Sequence, residues 1–209
     1  MQSIDFAYVI PLFLILLFSL SFHEAAHAWT ANRLGDPTAR QLGRITLNPM
    51  AHIDWIGTVL FPLLALISRV PLLGWAKPVP VDPRNLRAPR RDFGIVAAAG
   101  PISNLILAII GAIGFRVLYW NGQFEAAAWV ATGAKLNITL AVFNLLPVPP
   151  LDGGNVAIGL LPVAAARAIA QLRPYGFIIL YALLLTGALA HILFPIVDAI
   201  GNFLMPVVL

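Results

Sequence analysis

Apolar residues run from Phe6 to Leu20 as "FAYVIPLFLILLFSL", and the run passes into "SFHEAAHAWT" with no turn residue between. A membrane-spanning helix needs about 20 mostly apolar residues at about 1.5 Å rise each. Four stretches meet that requirement: about 6–31, 94–119, 127–147 and 175–195. Two more are marginal. Residues 53–68, "IDWIGTVLFPLLALIS", are short and carry Pro62, while 192–209 is interrupted by Pro195, Asp198 and Pro206. Polar, Arg-bearing stretches at 32–52 and 69–92 lie between the helices. The second contains "KPVPV", whose alternating prolines suit an extended edge segment because proline cannot donate to a ladder.

Composition supports the membrane reading. The chain of 209 residues is 60% hydrophobic and 11% charged, with a mean hydropathy of +0.87, far from the balance of a soluble domain. The first apolar run lacks a basic leader, carries Asp5 and leads into His and Glu, so it reads as a retained helix rather than a cleaved signal. Cysteine is absent, which excludes disulfides and thiolate metal sites; any metal must be held by His, Asp or Glu. The net charge of +4 comes from Arg-rich loops. It bears on orientation and lipid headgroups, and no nucleic-acid-binding pattern is visible.

The chemistry concentrates at "HEAAH". Residues i and i+4 share a helix face, so His23 and His27 can present two imidazoles to one ion. Glu24 between them is placed to act on water at the open position of a zinc site, not to bind the metal. The alternative is a pair of histidines hydrogen-bonded inside a bundle. An ionisable side chain at membrane depth costs about 2.5–3.5 kcal/mol even on lenient scales, which favours a shared partner such as a metal. A third ligand is then needed. Glu125 lies in the loop "NGQFEA", and His52 and His191 lie in a loop and near a late helix end. Asp152 follows an apolar run broken by Pro147, Pro149 and Pro150, where irregular backbone can line a cavity. "PPLDGG" also suits an ordinary helix-end turn with Asp152 as N-cap.

"HEAAH" with "FNLLPVPPLDGG" resembles the site-2 protease family of intramembrane zinc metalloproteases, in its short prokaryotic form. "LNPMAHIDWIGT", "GWAKPVPV", "NLRAPRRD" and "AAAGPISNLILA" extend the resemblance over about 18–160. It implies a zinc metalloendopeptidase with one Zn2+ per chain, held by His23, His27 and Asp152, with Glu24 as the catalytic glutamate. Asn144 matches a position lining the active site; it can bond the substrate backbone or developing oxyanion, or satisfy carbonyls freed by the proline break. The expected substrates are transmembrane proteins or peptides. No PDZ or CBS domain is seen, so the whole of 1–209 is expected to be one catalytic domain, with a core at about 6–160 and C-terminal helices at about 161–209. The alternative is a transporter or metal-handling protein using the same site without proteolysis.

Depth matching completes the fold expectation. His23 lies about 26 Å along the first helix, towards its C-terminal end, and Asp152 follows the 127–147 helix. Those helices must run parallel, so 53–68 cannot cross fully. The expected fold is an all-α polytopic membrane protein, a bundle of about 4–6 transmembrane helices. It has a re-entrant or peripheral segment at about 53–68 and a short extended segment near 76–81. Arg33, Arg40, Arg44, Arg69, Lys77, Arg84, Arg87, Arg90, Arg91, Arg167 and Arg173 then share one side, cytoplasmic by the positive-inside rule. The N-terminus faces outward and the site sits near the cytoplasmic boundary. Lys77, Pro78, Val79 and Pro80 are candidate substrate-binding residues, since an unwound substrate can pair with an edge segment; a surface loop at the interface is the equal alternative. Gly100, Pro101 and Asn104 are expected to pack near the site, His52 to be an interfacial loop residue, and Arg90 and Arg91 to anchor a helix end at the headgroups.

Overall fold

The computed structural model describes residues 6–68 and 74–206. Helix α1 (Phe6–Leu34) buries Ser19, His23, His27 and Ala31, spaced one turn apart along a single stripe. Phe6, Ile10, Leu14 and Phe18 point away from the bundle and are more than half exposed, as a lipid-facing surface requires. A short helix α2 (Thr38–Gln41) follows.

The segment at 53–68 is too short for a full crossing. Asp54 caps it, its Oδ1 accepting the Ile56 and Gly57 N–H groups. A wide turn at Trp55–Leu60 leads into α3 (Phe61–Ser68), 6 and 8 residues long. Together they reach about 21 Å, short of the roughly 30 Å hydrocarbon core. The chain is back at its starting level by Trp75, whose N–H donates to Gly57 O at 3.2 Å. Thr58 Oγ1 donates to Trp75 O at 2.8 Å. The Trp75 ring lies on Gly57, where a Cβ would stand 2.4 Å from Trp75 Cδ2.

Helix α4 (Pro89–Trp120) is the central element, packed against α1, against α5 (Phe124–Asn144) and against α6 (Asp152–Leu160). Small residues permit this. A Cβ on Gly94 would lie 3.0 Å from Gly159 Cα, and one on Gly111 3.0 Å from Ala134 Cβ. Arg90 does not simply reach for headgroups: it donates to Ile158 O and Leu161 O, carbonyls at the end of α6. Ala108, Ile138 and Val142 join Leu189, Leu193 and Val197 of α9 (Ala188–Leu204) in a buried apolar cluster.

The late helices differ from expectation. No helix spans 175–195. Instead α7 (Val163–Gln171) leads through a tight turn into α8 (Gly176–Leu185), and the chain breaks at Gly187. Its φ of +75° is a left-handed conformation that glycine adopts without the steric cost of a side chain. Helix α9 then continues through Pro195 and Asp198, which were expected to interrupt it. Four apolar stretches among the described residues are long enough to span a membrane: Phe6–Leu34, Pro89–Trp120, Phe124–Asn144 and Val163–Leu185.

The loops after α1 and before α4 are tied by Asp36, which is fully buried. Its carboxylate accepts the Thr38 N–H, the Asp82 N–H and the Asn85 side-chain amide. Burial alone would raise this carboxyl, but the bonds from Thr38, Asn85 and the Asp82 and Thr38 amides outweigh it and hold it below its ordinary value.

Candidate metal centre

His23 and His27 stand on the buried stripe of α1, with ring centroids 4.7 Å apart. Their Nδ1 atoms are engaged. His23 Nδ1 lies 2.6 Å from Asn104 Oδ1, and His27 Nδ1 lies 2.7 Å from Val96 O. A carbonyl oxygen can only accept, so His27 must donate from Nδ1. Asn104 uses its amide nitrogen on Asn137 Oδ1 and Ser19 O, which turns its oxygen to His23 and makes that imidazole a donor too. Asn137 in turn donates to Ser19 Oγ and Gly133 O. This arrangement leaves both Nε2 atoms as acceptors.

Both Nε2 atoms face Asp152 Oδ2, at 3.0 Å from His23 and 3.3 Å from His27. That oxygen is buried and makes no hydrogen bond among the described residues. Three lone-pair atoms aimed at one another repel unless a cation lies among them. Ligands about 2.0–2.2 Å from a tetrahedral zinc stand about 3.3–3.6 Å apart, close to the observed 3.0 and 3.3 Å. Gly100 keeps the adjoining space clear: a Cβ there would lie 2.5 Å from His23 Nε2 and 2.4 Å from His27 Nε2. The donor set and its spacing therefore fit zinc. Among the described residues this is the one group of three or more His, Cys, Asp or Glu side chains able to share a metal.

Asp152 is not carried at the end of α5, which stops at Asn144. It opens α6, after Leu151 at the N-cap position, and makes no capping bond. The turn reading of "PPLDGG" thus holds for the backbone but not for the Asp152 side chain. Gly153 and Gly154 let α6 start against the preceding loop; Cβ atoms there would stand 2.2 Å from Leu145 O and 2.7 Å from Pro149 N.

Glu24 is 8% exposed, and its Oε2 accepts the Val79 N–H at 3.0 Å. It shares a cavity of about 630 Å³ with His23, His27 and Asp152, lined also by Asn144, Pro78 and Val79. Asn144 donates to Leu140 O of its own helix at 2.9 Å. Of the four residues expected to meet substrate, Pro78 and Val79 line this cavity, while Lys77 and Pro80 flank them. Residues 75–82 are neither helical nor paired in a ladder among the described residues.

His52 lies in a loop, as expected, but is buried within the protein, 2% exposed, with Nε2 2.8 Å from Thr46 O. Arg44, counted among the charges expected to share the cytoplasmic side, is buried as well. Asn137 was not singled out from sequence at all. An Asn within an apolar helix is the available signal, since such a side chain needs an interhelical partner. His191 and Asp198 form no second centre: Asp198 pairs with Lys135 at 2.9 Å, and His191 Nδ1 lies against Gly187 O.

A multi-pass helical bundle enclosing a His–His–Asp centre beside a buried glutamate defines an intramembrane zinc metalloprotease. Similarity to known proteins gives its family. The profile of peptidase family M50 matches residues 120–187. "Putative zinc metalloprotease YwhC" of Bacillus subtilis (strain 168) is 38% identical over 196 residues, 90% of this chain and 86% of that protein. "Putative zinc metalloprotease Rip2" of Mycolicibacterium smegmatis is 34% identical over 184 residues, 87% of this chain and 69% of that protein. No solved structure matches. The chain belongs to peptidase family M50, the site-2 proteases.

Proposed function

We propose that the chain binds one zinc ion through His23 Nε2, His27 Nε2 and Asp152, and that Glu24 is the general base and acid for hydrolysis of peptide bonds in or near transmembrane segments of other proteins. The convergence of both imidazole Nε2 atoms on Asp152 Oδ2, in the cavity that holds Glu24, carries this reading. Bound zinc would supply Lewis acidity, polarising the scissile carbonyl and acidifying water. The Glu24 carboxylate takes a proton from the attacking water and returns it to the departing amine. Asn144, on the cavity wall, is within the chamber where a substrate carbonyl must lie and offers it a polar side chain.

The amides of an intact substrate helix are already hydrogen-bonded, so the substrate unwinds locally before cleavage. Its extended stretch runs past Lys77, Pro78, Val79 and Pro80. The whole of 1–209 acts as one catalytic domain, with its N-terminus outside the cell membrane and the centre near the cytoplasmic face. The test is cleavage of a panel of transmembrane segments together with zinc content. Glu24→Gln should keep one zinc per chain and lose cleavage by about 10²-fold or more. A variant that cleaves at the wild-type rate would remove Glu24 from the chemistry, and undiminished zinc binding in Asp152→Ala would remove that ligand.

A further inference from the structure

Arg44 is a buried cation, 7% exposed, in the loop between α2 and the 53–68 segment. Among the described residues no carboxylate is bonded to it. Its guanidinium donates to two successive carbonyls, Lys77 O at 2.6 Å and Pro78 O at 3.3 Å. One of its nitrogens also lies 3.5 Å from His52 Nδ1. His52 donates from Nε2 to Thr46 O, so its Nδ1 is an acceptor turned to Arg44. The His52 carbonyl meanwhile takes the Lys77 N–H at 2.9 Å. Lys77 is thus held on both sides of its peptide unit. Two residues on, Val79 N–H bonds Glu24 Oε2. Pro78 and Pro80 carry no N–H, so Val79 supplies the single backbone donor of this three-residue stretch. Burial lowers the Arg44 guanidinium from its ordinary value, with the Glu24 carboxylate acting the other way.

We infer that Arg44 is a positioning residue for Glu24: by clamping the Lys77 and Pro78 carbonyls, it fixes the Val79 amide that holds one carboxylate oxygen of Glu24. This rests on the role proposed for Glu24 and adds how that side chain is kept in place. Arg44 itself does not line the cavity, and it bonds none of the proposed ligands; it reaches the wall only from behind, through the Pro78 carbonyl. Its effect therefore falls on the chemical step and leaves metal binding alone. A planar fork holding two carbonyls is a task that Lys, a point donor, performs only in part.

The experiment measures kcat, KM and zinc content for Arg44→Gln, Arg44→Lys, Val79→Pro and the double variants, in the full-length protein in detergent or liposomes. Arg44→Gln is expected to lower kcat about tenfold with KM within about twofold and zinc unchanged, with Arg44→Lys intermediate. Because Val79→Pro removes the amide through which Arg44 acts, adding either Arg44 substitution to it should cost nothing further. Wild-type kcat in Arg44→Gln, or costs that multiply in the double variants, would overturn the inference. If Arg44→Gln fails to hold zinc, Arg44→Lys decides alone: a lowered kcat that is not additive with Val79→Pro supports it, and any other result overturns it. Should Glu24→Gln cleave normally, the proposed chemistry fails; should it be inactive while Arg44→Gln is wild-type, only the positioning role fails.

Discussion

Glu24 Oε2 and the Val79 amide, 55 residues apart in sequence, meet at 3.0 Å. The bond joins α1, which carries His23 and His27, to the loop that lies over it. It also means that the donor an edge segment would offer a substrate strand is already engaged by the protein's own carboxylate. A substrate lying along 77–80 must bond elsewhere on that stretch or compete with Glu24 for this amide.

Gly100→Ala is expected to abolish zinc binding while the bundle stays folded. The added methyl would lie 2.4–2.5 Å from both Nε2 atoms, in the space the proposed zinc would need, and α4 is fixed by its contacts with α1, α5 and α6. Metal analysis of the purified variant should show well under one zinc per chain, and cleavage should fall by at least about 100-fold. Retention of full zinc would mean that the metal lies away from these nitrogens.

Asn104→Ala should weaken zinc binding by about 10–100-fold, the usual cost of losing a hydrogen bond that orients a ligating histidine. It frees His23 Nδ1 and leaves Asn137 Oδ1 without its donor, so stability should also fall by about 1–3 kcal/mol. Competition with a chelator and thermal unfolding in detergent measure the two effects separately. Asn137→Ala should reproduce the stability loss with a smaller effect on zinc.

The Asp36 tether should give way in acid. Its folded carboxyl titrates below the ordinary value, so it stabilises the protein fully above the unfolded value, and that share is lost as pH falls through the ordinary carboxylate range towards the lowered folded value. Asp36→Asn should lower stability by about 1–3 kcal/mol at neutral pH and flatten the acid side of the stability curve. Thermal unfolding from pH 7 down to pH 3 checks this. Parallel curves for the two proteins would show that Asp36 contributes nothing pH-dependent.

Because Trp75 returns to Gly57 and Lys77 to His52, residue 75 lies at the same end of the bundle as the loop after α1. A reporter at 75 and one at the N-terminus should therefore label from opposite sides in sealed vesicles. Labelling of both from the same side would require α3 or α1 to be placed differently.

Much of this centre was legible from sequence because its parts obey local rules. His23 and His27 meet by the four-residue repeat of a helix, and Asp152 stands out in a proline-broken, apolar setting. That 53–68 falls short of a full crossing followed from requiring those ligands to share a depth. The break at Gly187 was not legible, since "LLLTGALAHIL" is apolar on both sides and a glycine within such a run is compatible with a continuous helix. Arg44 and His52 escaped because their roles rest on carbonyls more than 30 residues away in one case and on burial in the other. The headgroup rule describes an Arg-bearing loop on average and is silent about which arginine turns inward.

Gly100 brings the backbone of α4 against both imidazoles, and this shuts one flank of the centre. The space left to a substrate is the cavity that holds Glu24, lined also by Trp75, Asn144 and Phe177. If His23, His27 and Asp152 hold the proposed zinc, the α4 backbone would leave a peptide no approach to it from the Gly100 side.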